Sequence, residues 1–116
     1  MIVKHFIEDK LLVFEVIEEI DHHQVEKIRD RADYEIQRLM PKKVVFDFKG
    51  VRFMDSAGIG FILGRYKTIN VYGGKVEIIN VNEKIKRIFN MAGISKIIEI
   101  KDDSLNDNLN SLKQIS

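Results

Sequence analysis

The sequence predicts a single α/β domain on a mostly parallel mixed sheet, with an antiparallel first strand at its margin and about four helices. Three observations lead there. From Leu11 onward, short apolar runs alternate with stretches of helical periodicity, the pattern of strands joined by crossover helices. Ahead of them, two apolar segments are separated only by the turn residues Asp9-Lys10, so the first two strands form a hairpin. The 116 residues, 45% of them apolar, are enough for one core, and a chain of this length buries about two-thirds of its unfolded surface. There is no repeat, linker or low-complexity tract, so residues 1–116 are read as one domain.

The first strand lies within Met1 to Glu8 and the second within Leu11 to Ile17, where β-formers concentrate. In the first, His5 reads as a strand surface residue. Asp21 precedes a stretch in which Val25, Ile28, Ala32, Ile36 and Leu39 share one face, ending before Pro41. With Gln24 three residues on, Asp21 reads as a helix cap in a capping-box arrangement. Lys42-Lys43 lead into the central strand, Val44 to Phe48, where Asp47 is given a strand-end hydrogen-bonding role. A second helix begins near Ser56 and stops at Gly73-Gly74. Lys75 to Val81 is the next strand, and Asn82 caps a short helix with Ile85, Ile88 and Phe89 inward, closed by Gly93. Ile97 to Ile100 forms an edge strand. A terminal helix starts at Ser104, or at Asp102 or Asp103, with Leu105, Leu109 and Leu112 as its apolar line.

The stretch Val51 to Lys67 carries the function. It runs from the carboxyl end of the central strand through a short loop into the second helix, the place where α/β sheets present their sites. At about 100° per residue, Ile59, Ile62, Leu63, Tyr66 and Ile69 fall on one stripe, expected to be buried. Gly60, Phe61, Gly64, Arg65 and Thr68 fall on the other side. Each interior helix glycine costs roughly 1 kcal/mol against alanine, so Gly60 and Gly64 beside an outward Phe61 read as a flat strip for a docking partner, or as a seat for a neighbouring element of the same chain. Ser56 is either a cap contributing about 1 kcal/mol or a phosphoacceptor, since a helix N-terminus tolerates a phosphate that adds about −1.5 to −2 charge to the surface.

Phe53-Met54-Asp55-Ser56-Ala57-Gly58-Ile59-Gly60, followed by Ile62-Leu63-Gly64-Arg65-Tyr66-Lys67, resembles the phosphorylation loop and helix of the STAS domain family of anti-sigma factor antagonists. The Leu63-Gly64-Arg65-Tyr66-Lys67 tail and the upstream Asp21-His22-His23 are most similar to its sporulation branch. The resemblance implies a STAS-type fold and a protein switch. In its unphosphorylated form such a protein binds an ATP- or ADP-bound anti-sigma factor that is also a serine kinase, and so releases the sigma factor. The kinase then phosphorylates the serine matching Ser56, and a metal-dependent serine phosphatase resets the switch. An aspartate matching Asp21 faces the kinase in such proteins. With the face reading, this singles out Asp21, Asp55, Ala57, Gly58, Ile59, Gly60, Phe61, Gly64 and Arg65 for partner contact, and Ser56 for phosphorylation. Two departures stand out: Glu18 occupies a place where relatives often have glycine, and Ala57 one where they often have a second hydroxyl, which makes Ser56 the unambiguous acceptor.

The same residues bear on other functions. Gly58-x-Gly60-x-x-x-Gly64 is one residue too long for a dinucleotide fingerprint, no Walker phosphate loop is present, and Ser56 lacks the flanking glycines of a nucleophile elbow, so no catalytic set is read and no cofactor is expected. With three histidines and no cysteine, disulfides are excluded and a metal site is not expected. A formal charge of +1 gives no reason to expect nucleic acid, and the apolar runs are too short for a membrane span, which suits a cytoplasmic protein. The remaining alternatives are an antagonist of a general-stress anti-sigma factor, a STAS module that binds a nucleotide or small ligand, and, last, a serine hydrolase.

Overall fold

The computed structural model describes residues 1–102. Strands β1 (Ile2–Phe6), β2 (Leu11–Glu15), β3 (Lys43–Asp47), β4 (Lys75–Ile79) and β5 (Glu99–Lys101) form one sheet in the order of the sequence. The β1–β2 pair is antiparallel and the other three are parallel, as the alternation of elements requires. Lys10 takes a left-handed conformation, φ 51°, in the hairpin turn. Helices α1 (Val25–Leu39), α2 (Ser56–Val71) and α3 (Glu83–Met91) make the crossovers. Right-handed connections between sequentially adjacent strands place all three on one face.

The core lies between that face and the helices. Leu12, Phe14, Val44, Phe46, Val76 and Ile78 project from alternate sheet positions against Ile28, Ala32 and Ile36 of α1, Phe61, Ile62 and Ile69 of α2, and Ile85 and Phe89 of α3. The Phe14 and Phe46 rings stack at 5.3 Å, and Phe61 meets Phe46 edge-on at 5.6 Å. A second apolar cluster, Phe6, Leu11, Val13, Val45 and Ile79, occupies the other sheet face. There Glu77, also buried, pairs with Lys43 and with Lys101 at 3.1 Å. Burial alone would raise the Glu77 carboxyl, but the two lysines hold it below the ordinary range.

Element ends follow local chemistry. Asn82 Oδ1 accepts the Ile85 N–H at 2.8 Å, the expected cap of α3. Past α2 the chain turns at Gly73, whose φ of +87° favours glycine. Asp47 ends β3 by accepting from the Lys49 N–H at 2.9 Å and the Asn80 amide at 3.1 Å, the strand-end role expected of it.

Several boundaries differ from expectation. Helix α1 starts at Val25 rather than just after Asp21, because residues 22–24 form a turn that Asp21 caps: its Oδ1 accepts from the His23 and Gln24 N–H groups, both at 2.9 Å. β2 ends at Glu15, two residues early. β5 starts at Glu99 because a 3₁₀ turn, Ile94–Lys96, follows Gly93, and the Ile97 and Ile98 N–H groups, read as extended, donate back to the Ile94 carbonyl. The expected terminal helix with Leu105, Leu109 and Leu112 lies outside the described residues.

Candidate functional site

Two loops at the carboxyl edge of the sheet are joined to each other. The Ile20 N–H donates to the Phe53 carbonyl at 3.3 Å, and the Asp55 N–H donates to the Ile20 carbonyl at 3.1 Å, an isolated parallel bridge between Ile20 and Met54. This pairing brings the Asp21-His22-His23 turn, which follows β2, beside Asp55-Ser56, which follows β3. Residues more than thirty positions apart in sequence thereby form one patch.

Asp55 is the N-cap of α2, with its Oδ1 accepting the Ala57 N–H at 2.8 Å. That bond holds its carboxyl below the ordinary carboxylate range against the opposing effect of desolvation, and His22, with Nδ1 at 3.4 Å from Asp55 Oδ2, adds to the lowering. Since Asp55 takes the cap, Ser56 is the first helical residue, and it is exposed. Its hydroxyl is therefore placed where the partial positive charge of the helix end favours an anion.

Among the residues of α2 singled out from the sequence, three orientations need correction. Phe61, read as outward, is 2% exposed and packs on Phe46, while Arg65, assigned to the same outer side, is 7% exposed. The Arg65 Nε lies 2.8 Å from Asp33 Oδ1 of α1, and its guanidinium lies over the Phe61 ring at 5.4 Å. Burial pulls the Arg65 guanidinium below its ordinary value, with Asp33 opposing. Gly58 is buried as well, and a Cβ there would collide with the Met54 side chain. Its place in the site is one of close packing beneath the loop rather than of exposed surface.

The glycine strip itself is open. A Cβ built on Gly60 or Gly64 meets nothing within 4 Å, so neither is a seat for another part of the described chain. Exposed positions on α2 run Ser56, Gly60, Lys67, Asn70 and Val71, one side of the helix, with Gly64, Ala57 and Ile59 partly exposed. Sequence reasoning missed two neighbours. Phe53, 51% exposed on the loop before Ser56, and Ile17, 56% exposed after β2, are large apolar groups left at this edge. Phe53 was legible as an apolar residue two positions before Asp55, but nothing local fixed its direction.

His22 and His23 lie on the turn ahead of α1, with their rings in tilted contact at 4.1 Å between centroids. Among the described residues no group of three His, Cys, Asp or Glu side chains could hold a metal ion.

A five-stranded α/β sheet with one antiparallel edge strand and three crossover helices is the fold of a STAS-type domain. Residues 3–106 match the model of the STAS domain, and the chain belongs to that family. It is 40% identical over 96 residues to an anti-sigma F factor antagonist of Paenibacillus polymyxa, covering 83% of this chain and 82% of that one. Its fold is similar to that of the anti-sigma factor antagonist SpoIIAA in its unphosphorylated form, with a TM-score of 0.76 at 23% identity over 92% of this chain and 91% of that one. It is similar also to the Bacillus cell fate determinant SpoIIAA in the phosphorylated form, with a TM-score of 0.70 at 23% identity, covering 92% and 95% of the two chains.

Proposed function

We propose that this chain is an anti-sigma factor antagonist that works by partner switching in the sporulation pathway. Unphosphorylated, it binds an ATP- or ADP-loaded anti-sigma factor that is also a serine kinase, and thereby frees the sigma factor. The kinase transfers a phosphate to Ser56, the complex separates, and a metal-dependent serine phosphatase restores the hydroxyl. The chain supplies the substrate hydroxyl and the docking surface, not the chemistry. It acts in the cytoplasm, in keeping with the finding that no helix of the described residues is long and apolar enough to cross a membrane.

The observation that carries this reading is the exposed Ser56 at the first position of α2, flanked by the Asp55 cap and by the open backbone of Gly60. The contact surface is Asp21, Asp55, Ala57, Ile59, Gly60 and Gly64, with Phe53 added and with Phe61, Arg65 and Gly58 shaping it from within. A phosphate on Ser56 adds like charge beside the Asp55 and Asp21 carboxylates and places an unpaired polar group in the interface. Such juxtapositions cost several kcal/mol, and tenfold in affinity takes only about 1.4 kcal/mol.

The test is an intact-mass and peptide map after incubation with candidate anti-sigma factor kinases and ATP. A single phosphate on Ser56 is expected. Phosphate on Thr68 or Ser95, or transfer only from a kinase of the general-stress pathway, would overturn the assignment. Ser56→Ala binds the kinase and is not released by ATP, while Ser56→Asp binds poorly. Because Asp55 supplies the cap, Ser56→Ala leaves stability within about 0.5 kcal/mol of the wild type.

A further inference from the structure

The site holds a group with no part in the phosphate transfer itself. His22 is 73% exposed at its side chain, yet its Nδ1 is held 3.4 Å from Asp55 Oδ2, next in sequence to Ser56. The contact is long for a charge-assisted hydrogen bond, which closes to about 2.7–2.9 Å when the partners are well matched. The other Asp55 oxygen is committed to the Ala57 N–H at 2.8 Å. Against the imidazole stand the Asp55 carboxylate and the tilted His23 ring, while Oδ1 of the preceding Asp21 is taken by the His23 and Gln24 N–H groups. A phosphate on Ser56 would thus arrive among carboxylates, with one weakly engaged imidazole at hand. A dianionic phosphate offers three acceptor oxygens and more charge than Asp55 does.

We infer that His22 is a positioning residue that reads the phosphate: when Ser56 is phosphorylated, the His22 ring N–H exchanges Asp55 for a phosphate oxygen. The inference rests on the proposed modification of Ser56 and deepens it. In the unmodified chain His22 helps tie the Asp21 turn to the cap of α2. In the phosphorylated chain it turns from the cap to the phosphate and offsets part of the added charge within the chain itself. The repulsion that separates the complex then acts on the partner while the fold of the antagonist is spared.

The experiment places phosphoserine at position 56 during translation, so no kinase is needed, and follows the phosphate by phosphorus NMR against pH. The wild type, His22→Gln and His23→Gln are compared. In the wild type the phosphate loses its second proton a few tenths of a pH unit lower than in His22→Gln, roughly twofold in proton affinity for an exposed pair, and His23→Gln follows the wild type. Coincident curves for the wild type and His22→Gln would overturn the inference, as would a shift that tracks His23 instead. Switching is read separately, as binding of the same three phosphorylated proteins to the anti-sigma factor. A His22 effect without loss of binding would leave the inference and remove the proposed function, and the reverse result would do the opposite.

Discussion

Replacing Gly60 or Gly64 by alanine separates stability from function. Both glycines lie within α2, where alanine is favoured over glycine by about 0.8–1 kcal/mol. A Cβ at either position meets nothing within 4 Å, so no steric cost offsets that gain. Each single change should stabilise the fold by nearly 1 kcal/mol, raising Tm by about 3–5 °C for a domain of this size, and the double variant by about twice as much. The same methyl group stands on the strip where the partner's backbone is proposed to approach. Inserting a methyl into a packed contact costs about 1–3 kcal/mol, which is roughly 5- to 150-fold in affinity. The assays are thermal unfolding of the isolated chain and calorimetric titration with the anti-sigma factor. Variants that are more stable and bind worse bear out the reasoning. Variants more stable with unchanged affinity would refute the docking strip, and variants less stable would refute the open surroundings of the two glycines.

Two further perturbations probe the frame behind the site. Asp33→Ala leaves the Arg65 guanidinium, 9% exposed at its side chain, without its ion-pair partner. Because Asp33 keeps 30% of its own side-chain surface, the loss in chemical denaturation should be about 1–2 kcal/mol, below the 3–5 kcal/mol of a fully buried pair. Loss near zero would mean that α1 and α2 are held by apolar packing alone. Glu77 supplies an acid-sensitive element. Its carboxyl is lowered in the folded chain by Lys43 and Lys101, so its contribution is fully present above the ordinary glutamate value of 4.5 and is lost as pH falls through the lower, folded value. Urea unfolding at neutral pH and at stepwise lower pH below 4.5 should show a shallower loss of stability for Glu77→Gln than for the wild type. Parallel curves would contradict the ion-pair account.

Much of the fold was legible because it is written in local chemistry. The hairpin across Asp9-Lys10, the apolar stripe Ile28, Ala32 and Ile36, the Asn82 cap and the stop at Gly73 each follow from a residue and its immediate neighbours. The placement of Ser56 on a strand-to-helix loop followed from the order of elements. The facing of α2 did not. That helix has apolar residues most of the way round, including Ile59, Phe61, Ile62, Leu63 and Ile69, so periodicity alone cannot choose its inner side. Arg65 counted as polar and therefore outward, but Asp33, thirty-two residues earlier, satisfies it inside the α1–α2 seam. The Ile20–Met54 bridge was hidden for the same reason, since it depends on two loops meeting in space. The glycine strip was recognised from its cost in helix propensity, and its openness needed coordinates.

The most direct measurement of the central claim is the affinity of the anti-sigma factor for this chain with serine and with phosphoserine at position 56, in otherwise identical samples with nucleotide present. The account predicts a weakening of at least tenfold on phosphorylation, about 1.4 kcal/mol or more, with both forms folded alike. Equal affinities would contradict it.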